Sequence, residues 1–508
     1  MHSRFTIQAA QIPDTVAVSN EKETVAYGRL SRWVERLRPL FRCEKGLPVV
    51  LISLPGGPRF TAVQLACMAE GAVAVPIPDR TSAREAAGYL QLIRPDWVVV
   101  LSVSAAEGLL ETLPPGVAVL AMEGEAGERN GPFVSWAEVM EGGNVDPVRA
   151  GTPNLPPGTQ LIQFTSGSTG TPKGILLTGD NIRAYLDNNA AYLLEFTGRS
   201  VFCPMPQFHA FGGTVVLEGL NVGSSIHLAN RFVPGNDLAR MEAAACEVLK
   251  CAPTYPRLLH QLGVLDREHL PELRTLVMGA AATDPELAAT VRERFPEVEI
   301  ILRYGLTETM GPITRLHLVP GGKALGSGWV GPPVPGVKVA EGLPRPGEGE
   351  PGEVRVSSGV VAAGRLLERD RWEPLAGPDG FFPTGDLGHR ATDGDLFLRG
   401  RISAFIKSNG YRVNPFEIEE LLRSHPGVGE AVVFGVPDPV AGERITAWVE
   451  PAAKADPPAI RDLFRLLRGN LVAYKVPQKV RVVEKIPRNA VGKVDRGKVV
   501  EQSFELIG

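Results

Sequence analysis

The chain has 508 residues, more than a single hydrophobic core usually supports, so we expect at least two domains. Hydrophobic residues make up 44% and charged residues 22%, which is typical of a globular protein. A formal net charge of -4 argues against a nucleic-acid binder, and no apolar run approaches the length of a transmembrane segment. The five cysteines form no CxxC pair, so we expect a reduced, cytoplasmic setting.

The N-terminal part of the chain alternates between helical and strand patterns. Apolar residues at helical spacing predict an amphipathic helix over residues 27–40. Compact apolar runs at residues 49–54, 71–76 and 96–101 predict buried strands, and a helical pattern at 60–70 separates the first two. Strands that alternate with helices indicate a parallel α/β sheet. The pattern then weakens, and we predict a loop-rich segment over residues 103–160.

A run rich in Ser, Thr and Gly follows the strand pattern at residues 161–164 and ends in Pro172-Lys173-Gly174. Glycines let backbone N–H groups face an anion, hydroxyls add donors and lysine adds a positive charge. A Walker A loop would end in Gly-Lys-Ser/Thr, so that motif is excluded. An ordinary surface loop is the alternative, but the Pro-Lys-Gly ending favours phosphate binding. The candidate residues are Thr165, Ser166, Gly167, Ser168, Thr169, Gly170 and Lys173.

Residues 181–194 form a helical pattern, and a Pro-rich segment at 204–213 follows, with His209 and Phe211. A lone histidine is usually structural, so a role for His209 in a pocket wall competes evenly with that interpretation. Apolar runs at 248–253 and 276–281 predict further strands. The second run ends in small residues that would let a flat ring approach the backbone, although a simple strand-to-helix turn explains them nearly as well. These small residues are Gly279, Ala280 and Ala281.

A second motif, Tyr304-Gly305-Leu306-Thr307-Glu308, follows a strand pattern at residues 300–302. A tyrosine ring can stack on adenine, a threonine can donate to a phosphate, and a glutamate can hold Mg²⁺. The alternative is a strand end followed by a helix cap, which would explain the threonine and the glutamate alone.

Two more motifs follow along the chain. Residues 382–388 centre on Asp386, whose carboxylate could accept hydrogen bonds from both ribose hydroxyls; an Asp in a Gly-flanked turn is the alternative. Short strands punctuated by Gly and Pro at residues 326–336 and from 352 indicate a small β-subdomain. Near the C-terminus, Gly492-Lys493-Val494-Asp495-Arg496 presents one lysine, which in isolation would be taken as merely solvated.

Together the four motifs, in this order and spacing, resemble the acyl-adenylate-forming superfamily, which includes acyl- and aryl-CoA synthetases and stand-alone adenylation domains. The resemblance extends from about Tyr27 to Lys498. It implies an α/β fold, with a large N-terminal domain of parallel α/β sheets plus a small β-subdomain over residues 1–400. A small, mobile α+β lid domain would follow over residues 401–508.

The resemblance also implies residue roles. Lys493 would be the catalytic lysine that bridges the carboxylate and the α-phosphate, with Thr307, Glu308 and Lys173 assisting at the phosphates. The remaining nucleotide-contacting residues would be Gly279, Ala280, Ala281, Tyr304, Gly305, Asp386 and Arg401, whereas His209, Phe211, Gly305 and Met310 would line the acyl pocket. Gly410 and Tyr411 would face the site during thioester formation, when the lid has rotated about the hinge at Ser403.

The implied activity has two steps. ATP first activates a carboxylic acid to acyl-AMP with release of pyrophosphate, aided by Mg²⁺, and the acyl group then passes to a thiol, most often that of CoA. A carrier-protein phosphopantetheine acting in trans, or a partner enzyme, is the alternative acceptor. Ser403 keeps this alternative open, because the family typically has Asp or Lys at the hinge. A non-catalytic nucleotide-binding relative is disfavoured because Glu308, Asp386 and Lys493 are all present.

Overall fold

The computed structural model describes most of the chain as two compact units. The larger unit comprises Met1–Leu325, Pro332–Lys338 and Val356–Phe382, and the smaller unit comprises Gly326–Gly331, Val339–Arg355 and Pro383–Gly508. The described residues are 2–43, 46–79, 81, 83–124, 132–143, 151, 153–165, 173–230, 233–341, 352–402, 406–408, 411–438, 442–452, 456–471, 475–489 and 492–505.

Helices are distributed along the whole chain. Over the described ranges, the α-helices are α1 (His2–Gln11), α2 (Tyr27–Phe41), α3 (Pro58–Glu70), α4 (Ala83–Leu92), α5 (Glu107–Leu110), α6 (Trp136–Glu141), α7 (Gly179–Asn188), α8 (Ala190–Leu193), α9 (Ala210–Val222), α10 (Pro234–Ala243), α11 (Thr254–Gln261), α12 (Pro285–Arg294), α13 (Pro415–Arg423), α14 (Ile460–Asn470) and α15 (Arg496–Glu505). Single 3₁₀ turns lie at Ser104–Ala106, Leu194–Phe196 and Thr307–Thr309. No helix within these ranges is long and apolar enough to cross a membrane.

The strands are mostly short. In chain order, those described are β1 (Val16–Ser19), β2 (Thr24–Ala26), β3 (Val49–Ser53), β4 (Val73–Pro76), β5 (Trp97–Val100), β6 (Ala118–Ala121), β7 (Phe133–Ser135), β8 (Thr159–Thr165), β9 (Lys173–Thr178), β10 (Ser200–Cys203), β11 (Ser225–Leu228), β12 (Val248–Cys251), β13 (Thr275–Gly279), β14 (Glu299–Gly305), β15 (Pro312–Leu318), β16 (Trp329–Gly331), β17 (Lys338–Glu341), β18 (Gly352–Ser357), β19 (Gly364–Glu368), β20 (Arg371–Glu373), β21 (Phe382–Arg390), β22 (Leu396–Arg401), β23 (Ile406–Ser408), β24 (Tyr411–Val413), β25 (Val428–Asp438), β26 (Gly442–Pro451) and β27 (Lys479–Val482).

The larger unit contains two sheets whose central strands are parallel. One has eight strands in the order β15-β14-β13-β12-β10-β11-β1-β2, with antiparallel pairs only at its two edges. The other has nine strands in the order β20-β19-β9-β8-β4-β3-β5-β6-β7, parallel from β8 to β7. Parallel sheets carry ligands beyond the carboxyl ends of their strands, so this topology fixes where a site can lie. The predicted α/β class is confirmed.

Local sequence patterns explain several of these elements. The predicted helix over residues 27–40 is α2, and its apolar stripe is buried. The run at residues 49–54 gives β3, in which all five residues are buried, as a central parallel strand requires. The segment over residues 103–160, predicted to be loop-rich, also carries short elements in its described part, among them β6, β7, α5 and α6. These strands have only four and three residues, too few to produce a periodic signal.

The smaller unit also contains two sheets. A five-stranded sheet has the order β16-β22-β21-β18-β17, and a second sheet has the order β24-β23-β26-β25 with β27 paired to β26. Apolar side chains fill both faces of the second sheet; one cluster includes Ile418, Val433 and Leu463, and the other includes Phe434 and Trp448. The small β-subdomain and the α+β C-terminal region agree with the predicted architecture. The domain boundary at residues 400 and 401, with a hinge at Ser403, stays a prediction.

Candidate active site

The hairpin of β8 and β9 carries the two ends of the candidate phosphate loop. Thr165 and Lys173 are cross-strand partners, so the chain leaves and re-enters the sheet at one point. The intervening candidates Ser166, Gly167, Ser168, Thr169 and Gly170 lie outside the described residues.

Two glutamine side chains fix the loop that precedes α9. Gln163 on β8 donates a hydrogen bond from Nε2 to the carbonyl of Phe208. Gln207 accepts one at Oε1 from the Gly57 amide at 2.9 Å, beyond the end of β3. His209 occupies the N-cap position of α9, and its ring centroid lies 4.9 Å from that of Phe208. The predicted pocket residue His209 therefore sits on a loop that is anchored to the nine-stranded sheet.

Phe211 packs directly against the end of β13. A Cβ atom built on Gly279 would lie 2.8 Å from Cε2 of Phe211 and 3.0 Å from the carbonyl oxygen of Arg303, so any larger residue would require the Phe211 ring to move. Ala280 follows with φ of 65°, a left-handed backbone that costs a non-glycine residue about 1–3 kcal/mol. Ala281 is exposed. The structure thus brings together Phe211, predicted for the acyl pocket, and Gly279, predicted for the nucleotide.

The second motif forms a tight turn between β14 and β15. A Cβ atom on Gly305 would lie 2.1 Å from the carbonyl oxygen of Gly311, so the strands cross too closely for any side chain. The Thr309 hydroxyl holds the turn, since it accepts a hydrogen bond from the Leu306 amide at 3.1 Å and lies 2.8 Å from the Gly311 carbonyl. Met310 is buried, with φ of 54°. Backbone geometry therefore presents the intervening residues, including Thr307 and Glu308, at the strand end.

Backbone hydrogen bonds tie this turn to the phosphate hairpin. The Ala362 amide donates to the Glu308 carbonyl at 2.8 Å, and the next amide, that of Ala363, donates to the Leu176 carbonyl on β9 at 2.9 Å. One short segment of chain therefore links the second motif to β9, the strand that follows the candidate phosphate loop.

The half-buried Glu308 is a suitable ligand for a magnesium ion that arrives with ATP. Among the described residues, no group of three or more His, Cys, Asp or Glu side chains could hold a metal by itself. Magnesium in nucleotide enzymes is typically held by one or two carboxylates, with substrate phosphates and water completing its coordination. A single carboxylate at the end of β14 fits that pattern and does not fit a metal site built from protein ligands alone.

A buried cluster of charged and polar side chains joins α7, α9, β12 and β14 in the larger unit. Glu218 on α9 accepts hydrogen bonds from Lys250 on β12 at 2.7 Å and from Arg303 on β14 at 2.7 Å. The Tyr185 hydroxyl of α7 donates to the same carboxylate, and Arg303 also reaches this hydroxyl at 3.1 Å. Although burial opposes it, the Arg303 and Lys250 charges hold the pKa of Glu218 well below its usual range. Burial lowers the pKa of Lys250 and raises that of Tyr185.

The sequence analysis missed this cluster, although a signal was present. Glu218 is the only charged residue in α9, and Lys250 is the only one in β12, which is otherwise Val-Leu-Cys. A single charge inside an otherwise apolar element predicts a buried partner of opposite sign, because an unpaired charge is expensive to bury.

In the smaller unit, Asp386 and Arg401 face each other across β21 and β22. They are cross-strand partners, and Nε of Arg401 lies 2.7 Å from Oδ1 of Asp386. The carboxyl residue is 7% exposed, and its backbone amide donates to the Thr384 hydroxyl at 3.1 Å. The structure therefore brings together the predicted ribose-binding residue and the predicted nucleotide-contacting arginine.

Lys493 is electrostatically coupled to this pair. Desolvation and the Arg401 charge lower the pKa of its ammonium, and the Asp386 carboxylate opposes that shift, while the residue as a whole stays exposed. Of the predicted residues for the second step, Tyr411 belongs to β24, whereas Gly410 and the hinge residue Ser403 lie outside the described residues.

Comparison with known proteins identifies the family. The chain matches the AMP-binding enzyme family over residues 5–365 and the AMP-binding enzyme C-terminal domain over residues 417–493. It is 33% identical over 358 residues to a sulfoacetate–CoA ligase of Cupriavidus necator, covering 69% of this chain and 68% of the relative. A feruloyl-CoA synthase from Amycolatopsis is 29% identical over 502 residues, covering 97% and 96%.

Among solved structures, the amide bond synthetase McbA from Marinactinospora thermotolerans superposes with a TM-score of 0.80 at 28% identity, covering 99% of each chain. Sequence and fold thus agree over nearly the whole length. The chain belongs to the AMP-binding enzyme family, and it is an adenylate-forming ligase of the acyl-CoA synthetase type.

Proposed function

We propose that this enzyme uses ATP to convert a carboxylic acid to acyl-AMP and then transfers the acyl group to the thiol of CoA. The observation that best supports the first step is the coupled group of Asp386, Arg401 and Lys493. It combines a carboxylate suited to a ribose, a guanidinium suited to an anion, and an ammonium of lowered pKa.

In the first step, an oxygen of the substrate carboxylate would attack the α-phosphorus of ATP, and the bond to the leaving pyrophosphate would break with its electron pair. Both reactants are anions, and two unit charges at about 4 Å repel by roughly 4 kcal/mol in a partly dry site. Lys173 would offset the charge of the phosphates, and Lys493 would offset that of the carboxylate and the α-phosphate. Bound with ATP, Mg²⁺ would supply further charge neutralisation through Glu308.

In the second step, a thiol would attack the activated carbonyl, and AMP would leave with the electron pair of the mixed anhydride. The two relatives described above are named as a CoA ligase and a CoA synthase, and this supports CoA as the acceptor. Each acts on an acid of its own, so the names of relatives do not select the acid for this chain. Cys67, Cys203, Cys246 and Cys251 are buried thiols and not disulfides, which supports a reducing, cytoplasmic setting.

A second acceptor deserves a test because of one specific observation. The relative whose solved structure is described above is named an amide bond synthetase, so an enzyme of this fold can deliver the acyl group to an acceptor other than CoA. Serine at position 403, where the resembling family typically has Asp or Lys, points the same way. Acceptors in this second hypothesis are a partner enzyme, an amine or a carrier-protein phosphopantetheine in trans.

The decisive experiment is ATP–pyrophosphate exchange with a panel of aliphatic, aryl and sulfonated carboxylic acids. We expect exchange that depends on one class of acid, and thioester formation when CoA is then added. Lys493→Ala should lose at least about 100-fold in exchange while still binding ATP, whereas the exposed Lys498→Ala should behave like the parent enzyme. If none of the acids in the panel supports exchange, the proposed adenylation is refuted. Exchange without thioester formation, together with amide formation, would favour the second acceptor.

A further inference from the structure

The loop that carries Lys493, residues 487–495, is held at its base by backbone contacts. The Asp495 amide donates to the Pro487 carbonyl at 2.8 Å, and Arg488 and Val494 form an isolated antiparallel bridge. Residues 490–491 of this Lys493 loop lie outside the described ranges. The base is closed as a narrow hairpin, so the position of Lys493 depends on how that base is anchored.

Within the loop, the backbone of Lys493 is itself bonded. Its amide donates to Oδ1 of Asn489 at 3.0 Å, and its carbonyl accepts from the Asn489 amide at 2.8 Å. The neighbouring Val494 packs on the apolar cluster that contains Phe434 and Trp448. The backbone of the lysine is therefore fixed relative to the described part of the loop, so its position depends on the contacts that anchor the loop; at the N-terminal end, Nη2 of Arg488 lies 3.5 Å from Oε2 of Glu430.

Another anchor is provided by Arg496, the first residue of α15, which forms an ion pair with Glu419 on α13. Nη2 of Arg496 donates to Oε1 of Glu419 at 2.5 Å, and Nη1 donates to the Val433 carbonyl at 2.7 Å. Oε1 of Glu419 also accepts from the Val433 amide at 2.7 Å, and its side chain is only 5% exposed. Arg496 thus connects the end of the Lys493 loop to α13 and to the middle of β25, which belong to the core of the smaller unit.

We infer that Arg496 and Glu419 are positioning residues, whose ion pair sets where the ammonium of Lys493 lies during acyl-AMP formation. This inference rests on the proposed function, because it assigns the pair an effect on the step that uses Lys493. No role for Lys493 in thioester formation follows from the family resemblance. Loss of the pair should therefore slow the first step and leave the second unchanged.

The physical reason is that Arg496 is close to Lys493 along the chain, so a movement of the arginine moves the lysine. Only two residues separate Lys493 from Arg496, so release of the arginine frees the C-terminal end of the hairpin base. A displacement of about 1 Å at a reacting centre can cost about 100-fold in rate, even when the substituted residue touches no substrate. Because Glu419 is buried, water cannot easily take the place of Arg496 as its hydrogen-bond donor.

The test compares Arg496→Met, Arg496→Lys and Glu419→Gln with the parent enzyme in two separate assays. The first is acid-dependent ATP–pyrophosphate exchange, and the second is thioester formation from supplied acyl-adenylate and CoA. Arg465→Met is the matched control, because Arg465 forms an exposed ion pair with Asp462 at 2.9 Å within α14. Equilibrium urea unfolding of each variant checks that the smaller unit is folded.

We expect Arg496→Met to lose about 10- to 100-fold in the exchange kcat, with the KM for ATP and the rate of the second step within about twofold. Arg496→Lys should recover much of the loss, and Arg465→Met should show none. The alkaline limb of exchange in Arg496→Met should also move to higher pH, because a displaced Lys493 no longer faces Arg401.

Parallel loss in both assays would overturn the inference, since it would indicate general damage to the smaller unit. Full exchange activity in Arg496→Met would overturn it as well. If Arg496→Met does not fold, Glu419→Gln decides the matter: it keeps an acceptor for the Val433 amide, and unchanged exchange there counts against the pair. Failure of the parent enzyme in exchange would instead refute the proposed function, so the two failures can be distinguished.

Discussion

Glu218 and Lys250 form an ion pair of 2.7 Å in the interior of the larger unit, with side chains that are 1% and 2% exposed. Arg303 joins the same carboxylate, so a single buried carboxylate is shared by two basic side chains. Each member lies on a different element: α9, β12 and β14. The carboxylate consequently connects α9, which begins at Ala210, to β14, which ends at Gly305.

Glu218→Gln should strongly destabilise the larger unit. It leaves two buried cations without a counter-charge, and removing one partner of a buried pair typically costs about 3–5 kcal/mol in the free energy of unfolding. Urea unfolding measures this loss, and Glu218→Gln/Lys250→Met should recover part of it. Asp180→Asn, which removes an exposed pair with Arg183 at 2.7 Å, is the control and should cost less than about 1 kcal/mol. Equal losses in the buried and the exposed variant would contradict this account.

Asp386→Asn should weaken ATP binding without weakening binding of the acid. The substitution removes a charged acceptor, whose hydrogen bonds are typically stronger than neutral ones by about 1 kcal/mol or more, so affinity should fall about tenfold. Calorimetric titration with ATP measures the effect. Asp393→Asn, in the exposed turn between β21 and β22, provides the control and should bind ATP normally. An unchanged ATP affinity in Asp386→Asn would argue against the ribose role.

The pH dependence of adenylation should report on Lys493. Its ammonium acts while protonated, and desolvation and Arg401 lower its pKa. Exchange should therefore decline on the alkaline side at a lower pH than an unperturbed lysine would produce. Arg401→Gln should move that decline to higher pH, because it removes the neighbouring positive charge. In Lys493→Arg the decline should vanish from any residual activity, since a guanidinium stays protonated there; a decline that persists would assign it to another group.

His227 should make the protein less stable in mild acid. Its ring lies 2.7 Å from the Ser19 hydroxyl, and burial together with the Arg240 charge lowers its pKa from 6.5 to about 4. The unfolded chain therefore binds this proton more readily, so the stabilising contribution is complete above pH 6.5 and is lost as the pH falls towards 4. The loss should reach about 3 kcal/mol.

His227→Gln should flatten this dependence, as measured by urea midpoints at several pH values between neutral and mildly acidic. The exposed His260→Gln on α11 serves as the matched control, and it should leave the dependence unchanged. If the His227 variant keeps the full acid sensitivity of the parent enzyme, the sensitivity arises elsewhere.

Gly279→Ala should raise the KM for the carboxylic acid. The new methyl group would meet the Phe211 ring at 2.8 Å and the Arg303 carbonyl at 3.0 Å, so the ring has to move. Overpacking of this kind typically costs about 1–3 kcal/mol, and we expect the KM for the acid to rise severalfold. Adding Phe211→Leu should restore part of the loss, because the shorter side chain clears the methyl group. Steady-state kinetics with the preferred acid provides the measurement, and an unchanged KM would remove Phe211 from the pocket wall.

Sequence patterns predicted the parallel sheets, the small β-subdomain and the family, because alternating strand and helix patterns are strong there and motifs such as Tyr304–Glu308 lie where a strand pattern ends. The pairing of Asp386 with Arg401 could not be derived from spacing alone, since it depends on the register of β21 and β22. The contact of Phe211 with Gly279 likewise joins residues from different strand–helix units. Short elements within residues 103–160 escaped prediction because strands of three or four residues carry too little periodicity.

Ala362 and Ala363 fix the spacing between the Glu308 turn and β9 in the larger unit. Their consecutive amides donate hydrogen bonds to the carbonyls of Glu308 and Leu176, so the distance between these two carbonyls is set by main-chain atoms alone. Because these bonds use only main-chain atoms, substituting the surrounding side chains does not remove the donors or acceptors that form them. Under the proposed function, substitutions in the acid pocket would therefore leave the spacing between β9 and the Glu308 turn unchanged.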